Sequence, residues 1–90
     1  MKQHLTILVK GKVQGVFFRA SAIRQARDLK VTGFVRNEPD GSVYIEVEGT
    51  SEQLTDFVSW CKHGPTGARV DECKIEEGMI KHFAEFLIQR

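Results

Sequence analysis

Residues 33–47 read Gly33-Phe34-Val35-Arg36-Asn37-Glu38-Pro39-Asp40-Gly41-Ser42-Val43-Tyr44-Ile45-Glu46-Val47. Pro39 presets φ for a turn, Asp40 can bond its own backbone two residues on, and Gly41 takes positive φ freely. Together they mark a tight reversal. Beyond it, Val43, Ile45 and Val47 alternate with Ser42, Tyr44, Glu46 and Glu48, the pattern of a half-buried strand with one wet face. Residues 31–37 read as the strand before the turn, so the segment is a hairpin. What flanks it decides the fold.

On the N-terminal side, Ala22, Ile23, Ala26 and Leu29 fall on one face at three- and four-residue spacing, with Arg24, Gln25 and Arg27 outside. This predicts a helix from about Arg19 or Ala20. Before it, Leu5, Ile7 and Val9 alternate with His4, Thr6 and Leu8, a strand over 4–10. On the C-terminal side, Gly49 ends the hairpin and Thr50 with Gln53 forms a capping box. Leu54, Phe57, Val58 and Cys61 then give a helical apolar stripe, which His63-Gly64-Pro65-Thr66-Gly67 breaks. Residues 69–76 and 82–88 read as late strands, the second with Ala84, Phe86 and Ile88 on one face. The order is strand–helix–strand–strand–helix–strand, with room for a fifth strand. Two helices with one apolar stripe each need a common sheet face. The predicted fold is α+β, a βαββαβ sandwich with two helices on one face of a four- to five-stranded antiparallel sheet. Residues 1–90 are expected to form a single domain.

Composition narrows the function. The 90 residues carry 13 Lys and Arg against 12 Asp and Glu, a net charge of +1. A domain built to coat nucleic acid is usually far more basic. The longest apolar runs are short, such as Val16-Phe17-Phe18, so no helix is expected to cross a membrane, and the alternating N-terminus predicts no leader. Cys61 and Cys73 are too few for a disulfide framework and too far apart for a C-x-x-C knuckle. Reduced thiols in a cytoplasmic protein are expected. Cys61, on the apolar stripe, reads as core. His4, His63 and His82 lack metal-ligand spacing and read as surface residues. Asp71-Glu72 and Glu76-Glu77 read as a solvated edge.

Chemistry concentrates in two segments. Gly11-Lys12-Val13-Gln14-Gly15-Val16-Phe17-Phe18-Arg19 joins the first strand to the first helix. Positive φ at Gly15 lets neighbouring amides turn inward into an anion-binding concavity. The helix N-terminus points its positive end at the same place. Arg19 adds a permanent charge and a bidentate donor. Read alone, the segment is equally a plain connection with Arg19 in solvent. Asn37, at the end of the strand before the turn, can accept from and donate to one water. Alone it is more simply a good turn residue.

Taken together, Gly11 to Arg19 and Gly33 to Val43 resemble the two signature segments of the acylphosphatase family, with every fixed position present. The resemblance continues through the second helix, through Gly64-Pro65-Thr66-Gly67-Ala68-Arg69-Val70 and to Phe86-Leu87-Ile88. It implies the ferredoxin-like sandwich and a hydrolase that splits acyl phosphates into carboxylate and inorganic phosphate, without metal, cofactor or phosphoenzyme. It implies Arg19 and Asn37 as catalytic residues, and the backbone amides of Gln14, Gly15, Val16, Phe17, Phe18 and Arg19 as the phosphate-binding loop. The implied partners are the small-molecule acyl phosphate and inorganic phosphate, the latter as product and weak inhibitor. Nucleic acid and membranes are not expected, and a monomer is. The sequence departs from the family pattern at Phe17, where small residues are common, at Ala20 and Ser21, where an aromatic is common, and at Thr66 and Gln89. The competing readings are an RNA recognition motif, for which Phe34 and Tyr44 supply too few aromatics, and a binding module without turnover.

Overall fold

A computed structural model describes residues 1–89. The chain runs β1 (Lys2–Lys12), α1 (Phe18–Leu29), β2 (Thr32–Asn37), β3 (Val43–Thr50), α2 (Ser51–Cys61), β4 (Arg69–Gly78) and β5 (Phe86–Ile88). Five strands form one sheet in the order β4-β1-β3-β2-β5. The hairpin is present, with Asn37 opposite Val43 and Val35 opposite Ile45.

One face carries the core. Ile7 and Val9 of β1, Val35 of β2, and Val43, Ile45 and Val47 of β3 are fully buried, together with Ala22 and Ala26 of α1 and Leu54, Phe57 and Cys61 of α2. The helical stripes read from spacing are therefore those that pack on the sheet. Helix α2 starts in a complete capping box: Thr50 Oγ1 accepts from the Gln53 amide at 3.2 Å, and Gln53 Oε1 accepts from the Thr50 amide at 2.9 Å. These reciprocal bonds satisfy two amides that a helix start otherwise leaves open.

Three expectations change. First, β1 extends through Gly11 and Lys12, with an irregularity against β4 between Lys10 and Gly11. Gly11 belongs to the strand, where a side chain would run into the Arg69 carbonyl.

Second, the sheet is mixed. β5 is only Phe86–Ile88, and it pairs parallel to β2, with Gly33 opposite Phe86 and Val35 opposite Ile88. The cause is topological. Residues 79–85 leave β4 at one end of the sheet and cross to the far edge at that same end. The chain must then run opposite to β4, which is the direction of β2.

Third, the outer face of β3 is not wet. Glu46 and Glu48 are buried, and so is His4 on β1. A carboxylate oxygen sits at each His4 ring nitrogen: Glu48 Oε2 is 2.7 Å from Nδ1, and Glu46 Oε1 is 3.2 Å from Nε2. The crossing segment covers them. The Lys81 and Phe83 amides donate to Glu48, and Lys81 Nζ meets Glu46 at 2.8 Å. Phe83 packs edge-on against Phe34, while the Arg36 guanidinium lies over Tyr44 at 4.5 Å. His63 and His82 are exposed as expected.

Burial alone would push the Glu48 carboxyl up. The Lys81 amide, the His4 ring and the Phe83 amide outweigh it and hold the group below the ordinary glutamate value of 4.5. A carboxyl held low contributes fully above its ordinary value, and the contribution fades as pH falls through the lowered one. Glu48→Gln should therefore lower stability at pH 7 by about 2 kcal/mol, roughly 8–16 °C in Tm for a domain of this size. Thermal melts of the two proteins should converge as the pH falls below the lowered value. A gap that persists there would remove the carboxylate charge from the explanation.

Candidate active site

At the sheet end opposite the crossing segment, β1, β2 and β5 all finish. Residues 13–17 leave β1, with Val13 buried as an anchor, and turn into α1. Gly15 has φ 73° and Phe17 φ 61°, while Val16 and Phe18 between and after them do not have positive φ. Positive φ at two positions two residues apart gives a sharply turned loop, the kind of backbone from which anion nests are built. Helix α1 begins at Phe18, one residue before the predicted start, so Arg19 lies in its first turn. That end has no side-chain cap and no acidic residue in the first turn, in contrast to α2. Its amides are left facing the loop with the positive end of the helix dipole.

The turn after β2 is fastened separately. Asp40 Oδ1 accepts from the Ser42 amide at 2.9 Å and from Ser42 Oγ at 2.6 Å. The Ser42 hydroxyl and amide hold the Asp40 carboxyl below its ordinary value. Asp40 is thus a builder of the turn, as its position predicts. Gln14 joins turn and loop: its Nε2 donates to the Glu38 carbonyl at 2.8 Å and to the Ser42 carbonyl at 2.9 Å. Sequence reasoning assigned Gln14 only a backbone role. Its side chain bridges segments 24 and 28 residues apart, and no local pattern reports such a contact.

The loop, the start of α1 and the ends of β2 and β5 line an open cavity of about 300 Å³: Gln14, Gly15, Phe17, Phe18, Arg19 and Asn37, together with Val13, Ala20 and Ile88. The fold thus brings five of the six loop residues together with Asn37. Val16 does not line the cavity, and its side chain packs against the core. Arg19 is half-buried. No carboxylate pairs with it among the described residues, whereas Arg36 and Arg69 are paired with Glu38 and Asp71. Asn37 Oδ1 is buried and, among the described residues, has no hydrogen-bond partner. An orphaned buried acceptor is costly, and in a native protein it asks for a bound water or ligand. Among the described residues, no group of three His, Cys, Asp or Glu side chains is placed to hold a metal ion, and no helix is long and apolar enough to cross a membrane.

A cavity lined by a sharply turned loop at a helix N-terminus, an arginine without a carboxylate partner among the described residues and an asparagine is chemically suited to a small anion. Known proteins are similar to this chain along most of its length. Residues 5–88 match the family model described as Acylphosphatase. A protein of Methylococcus capsulatus named acylphosphatase is 45% identical over 85 residues, covering 93% of this chain and 92% of its own. The crystal structure of acylphosphatase from Bacillus subtilis superposes with a TM-score of 0.94 at 34% identity, covering 100% of both chains. An acylphosphatase structure from Coxiella burnetii gives a TM-score of 0.94 at 32% identity, over 98% of this chain and 93% of that one.

Proposed function

The chain belongs to the acylphosphatase family and hydrolyses acyl phosphates, and from that premise we propose how its residues divide the work. The amides of residues 14–19 and the Arg19 guanidinium hold the phosphoryl oxygens. Asn37 orients a water for attack on phosphorus, in line with the departing carboxylate. The bond between phosphorus and the acyl oxygen breaks, giving a carboxylate and inorganic phosphate. Phosphoryl transfer asks a protein chiefly for positioning and charge stabilisation, and these groups supply both. The observation that carries the assignment is that Asn37, whose side-chain oxygen has no hydrogen-bond partner among the described residues, lines the same cavity as Arg19 and the loop. An amide is a poor base, so the water's proton passes to a phosphate oxygen of the substrate.

The reaction in this reading needs neither metal nor cofactor. The protein acts as a single cytoplasmic domain and a monomer, and its product inhibits weakly. The test is phosphate release from benzoyl phosphate by the purified chain in excess chelator. Turnover should be undiminished, and inorganic phosphate should raise the apparent KM without changing kcat. Turnover that requires a divalent metal, or inhibition independent of substrate concentration, would overturn the assignment.

A further inference from the structure

Phe17 is a costly residue with no structural return. Its side chain is 80% exposed, whereas Phe18 beside it is 2% exposed and belongs to the core. Its backbone lies at φ 61° and ψ 25°, a left-handed conformation that penalises a bulky side chain and leaves glycine unpenalised. Gly15 takes the same handedness two residues earlier, so a glycine at 17 would build the same nest. Strain held at one residue beside a cavity is a reason to look for function there, and an exposed aromatic ring adds a second. The loop geometry explains the backbone of Phe17 and leaves the ring unexplained.

We infer that the Phe17 ring is the wall against which the organic end of the substrate packs, so that this chain selects acyl phosphates with aromatic or bulky apolar acyl groups. The inference rests on the roles proposed for Arg19 and Asn37. The polar groups of the cavity, Arg19, Asn37 and the loop amides, are all engaged by the phosphoryl group and the water in that reading. In-line attack with the water at Asn37 sends the acyl group out on the side of the phosphoryl group opposite Asn37, and Phe17 is the most exposed large apolar residue of the cavity lining. The cavity's volume of about 300 Å³ leaves room beyond a phosphoryl group. The remaining exposed lining is apolar: Ala20 and the half-exposed Ile88. A flat aromatic acyl group can lie offset against the Phe17 ring, whereas an acetyl group is too small to reach along it.

The test compares kcat/KM for benzoyl phosphate and acetyl phosphate in the wild type, Phe17→Gly and Phe17→Asn. Glycine and asparagine both accept positive φ, so the loop keeps its path while the ring is lost. The benzoyl-to-acetyl ratio should fall about 10-fold in both variants, mainly through KM. Because the ratio is read, any disturbance of the shared cradle lowers both substrates alike and cancels. Phe17→Leu, which keeps apolar bulk, should retain part of the preference. A ratio within twofold of wild type in both variants would overturn the role of the ring while leaving the hydrolytic assignment intact. Failure of the wild type to turn over either substrate would instead strike at that assignment.

Discussion

Arg19→Ala should lower kcat/KM for benzoyl phosphate by about 10³-fold or more, the scale on which an arginine stabilises phosphoryl transfer. Both parts of the constant should move. The guanidinium carries charge to the phosphoryl group in the ground state and more effectively as charge redistributes in the transition state. KM should therefore rise, kcat should fall, and the inhibition constant for inorganic phosphate should rise by about 10-fold or more. Arg19→Lys restores the charge but not the two parallel donors and should recover only part of the loss. Folding is not the intermediary: Arg19 is half-buried and makes no salt bridge among the described residues. The variant should therefore melt within about 0.5 kcal/mol of the wild type. A normal phosphate inhibition constant in Arg19→Ala would place the anion elsewhere.

Asn37→Ala separates rate from affinity. If the amide only holds the water, its loss should reduce kcat by about 10²–10³-fold and leave the phosphate inhibition constant within about twofold, the signature of an interaction made in the transition state alone. Stability should move the other way. The Asn37 oxygen is a buried acceptor without a partner among the described residues, and removing it relieves a desolvation penalty of about 1 kcal/mol or more. Tm should be at or above the wild-type value while activity collapses, the trade expected where function rests on an unfavourable arrangement. A wild-type kcat in Asn37→Ala would remove the assigned role. A marked fall in Tm would show that the oxygen is structurally engaged after all.

The parts of the fold that the sequence revealed are those governed by local rules. The Pro39-Asp40-Gly41 reversal, the Thr50–Gln53 box and the two helical stripes each lie within a few residues, where turn chemistry, capping and periodicity act. The loop from Gly11 and the strand end at Asn37 were legible as a possible anion site, and the two segments became specific only in combination. The misread parts depend on what lies across space. Alternation shows that Glu46 and Glu48 share a face but not that residues 79–85 cover it, because that segment has no period of its own. His4 looked like a surface residue for the same reason. The parallel pairing of β5 follows from where a connection crosses the sheet, and the bridging bonds of Gln14 follow from two loops meeting after the sheet has formed.

That parallel pairing has a consequence for engineering. Because β5 runs with β2, residue 88 arrives at the margin of the cavity, while Lys2, paired with Thr50, lies at the opposite end of the sheet. A tag or partner domain joined ahead of β1 would emerge far from the chemistry. One joined beyond β5 would leave the fold at its doorway, where its bulk would act as a sieve on the size of the molecules admitted.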